Sequence, residues 1–121
     1  MKPPRKELVG MFVLDAVADD YENFEKIAST VEDFARRCGL PIALPELLEA
    51  VEDLVRSGLV KAYRLSPTKP VEEVSGVPQR SEIHSCYFWV TEAGAAVQAA
   101  EYDGWPFDEH GELKSDWCAP D

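Results

Sequence analysis

Apolar side chains at Phe24, Ile27, Ala28, Val31, Phe34, Ala35 and Cys38 recur at steps of three and four, so they share one face and predict a helix. Gly39 ends it, because a glycine accepts the left-handed conformation that closes a helix. Upstream, Leu8, Val9, Met11, Phe12, Val13, Leu14 and Val17 spread nearly all round a helix predicted over residues 5–20. Such a helix belongs at the centre of a core or in a subunit interface. Leu40-Pro41-Ile42-Ala43-Leu44-Pro45 reads as a connector, and a third helix starts near Pro45, where a missing amide hydrogen costs nothing. Leu47, Leu48, Val51, Leu54 and Val55 lie on one side of that helix. Glu46, Glu49, Asp53 and Arg56 face away from it, and Ser57-Gly58 stops it.

Beyond Gly58 the period changes from helical to alternating. Residues 59–65 alternate apolar and polar side chains, and residues 81–90 are rich in aromatic and β-branched types, so two strands are predicted. Pro67, Pro70, Gly76 and Pro78 between them predict a long loop at the tip of the hairpin. Thr91 caps a last helix running to about Ala100, in which Ala93, Ala95, Ala96 and Ala99 permit close packing.

This order, with Leu54-Val55-Arg56-Ser57-Gly58-Leu59-Val60 and Thr91-Glu92-Ala93-Gly94 at its joints, resembles the winged helix-turn-helix transcription-regulator families. The resemblance covers residues 5–101. It implies an α+β fold, mainly α with a small β hairpin as the wing, in one domain over residues 1–101. An acidic aromatic tail, residues 102–121, packs on that domain or extends from it. In such families the third helix is ordinarily laid in the DNA major groove.

Charge speaks against that use. The 121-residue chain fits a single core, yet it carries a net charge of −11, which repels polyphosphate at long range. Six of those negative charges come from Glu101 onward, where Lys114 stands alone among seven acids. The candidate DNA contacts are Arg36, Arg37, Arg56, Lys61, Arg64, Lys69 and Arg80. They are interleaved with Glu32, Asp33, Glu49, Glu52, Asp53, Glu72, Glu73 and Glu82, so no uninterrupted basic strip forms.

Candidate chemistry is sparse. The chain has no phosphate-binding glycine loop, nucleophile elbow or HExxH motif, and two histidines at most could serve as bases near neutral pH. An enzyme is not expected, nor a cofactor. Cys38, Cys86 and Cys118 are odd in number and form no CxxC pair, so neither a disulfide framework nor a zinc ribbon is expected. His84 and Cys86 share a strand face and would be half a metal site at best; the packed or surface reading is preferred for them, and for His110 and Cys118. Free thiols fit a reducing cytoplasm. The apolar run Leu8–Leu14 after Lys2, Arg5 and Lys6 is better used as a buried helix than as a secretion signal.

The tail pairs Trp105, Phe107 and Trp117 with acids. Aromatics in that setting either fill a groove on the domain or anchor a partner. The expectation is therefore a cytoplasmic, non-enzymatic protein acting mainly through protein contacts, with another regulator or as a homodimer. Its contact surface comprises Glu46, Glu49, Asp53 and Arg56 on the third helix, with Trp105, Phe107 and Trp117. Replacing Glu46, Glu49 and Asp53 by lysine is expected to leave the fold intact. The alternative is a DNA-binding regulator using the arginines and lysines named above.

Overall fold

The computed structural model describes residues 4–100, 104–118 and 120. Helix α1 spans Arg5–Ala16, four residues short of the predicted end. Two further acids, Asp19 and Asp20, would crowd the negative end of the helix dipole. Asp20 instead accepts the Tyr21 backbone N–H at 2.7 Å, a local bond that competes with helical pairing.

Helix α2, Phe24–Arg37, starts where the Asn23 side chain accepts the Lys26 N–H at 2.8 Å. It closes at Gly39, φ 68°, with Leu40 N–H donating to the Ala35 carbonyl at 2.8 Å. Helix α3, Leu44–Arg56, carries Pro45 in its first turn and ends through Gly58, φ 81°. The 3.6-residue periodicity placed both helices within a residue or two of their ends.

Four strands make one antiparallel sheet: β1 (Glu22–Asn23), β2 (Val60–Ser66), β3 (Lys69–Glu73) and β4 (Tyr87–Val90), in the order β1-β4-β2-β3. The predicted hairpin is thus a larger sheet, with three corrections. Lys69–Glu73, expected to be loop, is a strand that pairs Tyr63 with Glu73 and Arg64 with Glu72. Only the last four residues of the predicted 81–90 strand pair in the sheet; Ile83–Ser85 forms a 3-10 turn that buries Ile83. Glu22–Asn23 was not foreseen and pairs with Phe88 and Tyr87.

Helix α4, Glu92–Ala100, is clamped to the end of α3 by one residue. Thr91 donates its N–H to the Leu59 carbonyl at 3.0 Å and its hydroxyl to the Gly58 carbonyl at 2.8 Å, while accepting Gly94 N–H at 3.0 Å. Gly94 then lies flat on Leu59, with no room for a side chain.

Helix α1 is the centre of the core. Leu8, Val9, Met11, Phe12, Val13 and Leu14 are all buried, because α2, α3 and α4 each pack on α1 and Trp105 meets Phe12 edge-on at 5.6 Å. The apolar circumference from which the sequence predicts a dimer is therefore covered within one chain. On α4, by contrast, Ala93, Ala95, Ala96 and Ala99 remain exposed. No helix among the described residues is long and apolar enough to cross a membrane.

Candidate interaction surfaces

The acidic side of α3 is not a free face. Glu46 receives Arg5 through two bonds, Nε at 2.7 Å and Nη2 at 2.9 Å, and this hydrogen bonding holds the carboxyl below its ordinary pKa against a smaller opposing effect of burial. Asp53 lies 3.3 Å from Lys6 Nζ and 2.6 Å from Arg56 Nη1. Only Glu49 of the three is exposed without an ion pair among the described residues. The N-terminal turn of α1 supplies the counter-charge, which corrects the view that all three acids merely face solvent. Lysine at positions 46 and 53 would set like charges against Arg5, Lys6 and Arg56.

Carboxylates also hold most of the candidate DNA contacts. Arg36 meets Asp33 at 2.5 Å, and Arg37 lies 3.9 Å from the other oxygen of the same carboxylate. Arg64 bridges Glu82 at 3.3 Å and Glu72 at 3.8 Å, and Lys61 meets Glu73 at 2.6 Å. Arg80, in the segment after β3, reaches back to Glu52 on α3 through Nε at 3.1 Å and Nη2 at 2.9 Å. That bond depresses the Glu52 pKa. Lys69 has no ion-pair partner among the described residues. Exposed pairs of this kind stabilise a fold by about 1 kcal/mol at most. They matter here because each cation but Lys69 already has an anion, and a phosphate would have to displace it.

The tail folds back as a small hairpin. Asp108 and Glu112 close it backbone to backbone at 2.7 Å, the Asp108 side chain accepts the N–H groups of His110 and Glu112, and Lys114 N–H reaches the Pro106 carbonyl at 2.8 Å. Phe107 is 2 % exposed, and its ring sits 5.6 Å from Phe34 and 5.8 Å from Trp105. The Arg37 guanidinium stacks over it at 4.3 Å while donating to the Gly111 carbonyl. Trp105 and Trp117 are half-buried against the same core. Trp105 and Phe107 thus pack on α1 and α2 through Phe12 and Phe34.

Elsewhere, His84 Nδ1 lies 2.7 Å from a Glu25 oxygen, and the hydrogen bond lowers the Glu25 pKa. Cys38 and Cys86 are buried, which raises both thiol pKa values, and Cys118 is exposed. No cluster of three or more His, Cys, Asp and Glu side chains among the described residues has metal-holding geometry.

One surface escaped the sequence reading. In β2 and β4, Val60, Ala62 and Phe88 face the core, so alternation sends Lys61, Tyr63, Tyr87 and Trp89 to the opposite face. Tyr63 lies directly across from Tyr87, and Lys61 across from Trp89. Tyr21 joins them from the loop before β1, its ring 4.6 Å from Trp89 and 5.1 Å from Tyr63. Burial raises the Tyr63 pKa; Lys61 opposes this, and Glu73 and Tyr21 add to it. The alternation at 61, 63, 87 and 89 was the available signal, but only the strand register brings these rings together. No protein-family model, curated protein or solved structure matches this chain.

Proposed function

We propose that the chain is a winged-helix protein without catalytic activity that works in the cytoplasm through protein contacts, in a regulatory role, and does not read DNA grooves. Three helices followed by the β2–β3 hairpin and a fourth helix support the winged-helix assignment, and the resemblance at Ser57-Gly58 and Thr91-Glu92-Ala93-Gly94 supports it further. The observation that carries the functional reading is the pairing of cations. Arg36, Arg37, Arg56, Arg64 and Arg80 are each within ion-pair distance of a carboxylate, on a molecule of net charge −11. Binding to a polyanion draws its free energy from phosphate contacts, and here each of these arginines would first have to leave a carboxylate.

Titration of a labelled mixed-sequence DNA duplex at low salt tests the reading. No affinity above background is expected. Binding that weakens steeply with added salt would overturn it and favour the DNA-binding regulator. The exposed alanines of α4 support self-association as one of the protein contacts. Light scattering that returns only the monomer mass at high micromolar concentration would remove that part.

A further inference from the structure

A half-solvated antiparallel sheet ordinarily turns polar side chains to water. This one turns Tyr63, Tyr87 and Trp89 outward, with Tyr21 edge-on to Tyr63 and tilted against Trp89, and none of the four is fully buried. Leu65, 36 % exposed, continues the same alternation along β2. Tyrosine and tryptophan offer large contact area at little cost in rotamer entropy, and they dominate the energetic centres of protein interfaces. We infer that this aromatic sheet face is the docking surface for a protein partner, and that the partner presents a basic segment to it, with arginine or lysine side chains over the rings. The inference rests on the protein-contact reading above.

Charge decides the occupant. The faces of aromatic rings are electron-rich and attract guanidinium and ammonium groups. Asp19 and Asp20, both exposed, immediately precede Tyr21, and Glu73 stands across from Tyr63. Lys61, on the same face, is already bonded to Glu73 at 2.6 Å, so those two charges offset one another. A row of aromatics on a sheet also suits stacked bases of single-stranded nucleic acid. Here the accompanying phosphates would meet Asp19 and Asp20, with the Glu73 charge offset by Lys61. A second copy of the chain would bring the same acids to the same rings, so a basic partner fits best.

The test uses a fluorescently labelled arginine–glycine repeat peptide, followed by anisotropy against the full chain. The parent should bind, and the Tyr21→Ser/Tyr63→Ser variant should bind about tenfold more weakly although its charge is unchanged. Circular dichroism checks that this variant is folded. Asp19→Asn/Asp20→Asn alters exposed residues only and should weaken binding severalfold, which keeps the test decisive if the tyrosine variant unfolds. Equal peptide affinity in parent and both variants would overturn the proposal, because attraction would then be non-specific. Tighter binding of an oligothymidine strand than of the peptide, lost with Tyr21 and Tyr63, would also overturn it and assign the face to nucleic acid. Failure with the peptide while duplex DNA still shows no affinity would remove this surface alone; duplex binding would remove the protein-contact reading itself.

Discussion

Replacing Gly94 by alanine sets two effects of opposite sign against each other. Alanine favours a helix over glycine by about 1 kcal/mol, which would stabilise α4. Yet a Cβ at position 94 would stand 2.0 Å from the Leu59 carbonyl oxygen and 2.7 Å from Val90 Cγ2, where ordinary contact begins at 3.4 Å. The obstacle is main chain, and it cannot turn aside as a side-chain tip could. Retreat of the Leu59 carbonyl breaks its bond from Thr91 N–H, made at 3.0 Å. Overpacking of this sort costs up to about 3 kcal/mol, and the lost hydrogen bond about 1 kcal/mol more. The net effect of Gly94→Ala is a loss of about 3 kcal/mol, or a fall in Tm on the order of 10 °C for a chain of this size. Thermal and urea unfolding followed by far-ultraviolet circular dichroism measure it directly. A variant that melts at or above the parent temperature would refute the close approach of α4 to Leu59.

The matched control is Gly10→Ala on α1, where nothing lies within 4 Å of the added Cβ; it should stabilise by about 1 kcal/mol, read from the same unfolding curves. Phe107→Ala removes a ring packed on Phe34 and Trp105 and should cost about 3 kcal/mol, with the tail becoming sensitive to limited proteolysis before the domain. Asp15 has a raised pKa, first from burial and then from Asp19, so the native state holds its proton to higher pH than the unfolded chain does. Stability attributable to it therefore falls as pH rises from the ordinary aspartate range through the raised value, and stays lower above it. Asp15→Asn, which also removes an anion from the negative end of α1, should stabilise by roughly 0.3–1 kcal/mol at pH 7, with the gain shrinking in melts taken toward pH 3.

Helices α2 and α3 were legible in the sequence because a strong 3.6-residue period is punctuated by Gly39 and Gly58, whose positive φ the chain needs at those points. Strand β3 was not, since all five of its residues are exposed and nothing in their side chains alternates; backbone pairing to β2 alone defines it. Ile83 looked like a strand residue because it is apolar and β-branched, but a 3-10 turn buries it just as well. The acids of α3 read from its projection as a free face, but Glu46 and Asp53 are half-buried against Arg5 and Lys6. Their partners were out of sight, because Arg5 and Glu46 are 41 residues apart and a helical projection shows only its own helix. Tyr21 was equally hidden, belonging to no periodic element, although it completes the aromatic face.

The borders of the sheet limit what that face can do. One border, β1, is two residues long, and the other, β3, carries Lys69, Pro70, Glu72 and Glu73 beside a register shift opposite Arg64 and Ser66. Short length, proline, charge and irregular pairing are the means by which sheet proteins refuse to add strands from neighbours. A partly exposed aromatic surface would otherwise invite growth into fibrils or disordered aggregates. These borders oppose extension of the sheet by another backbone, so the docking inferred above would be confined to the plane of the rings.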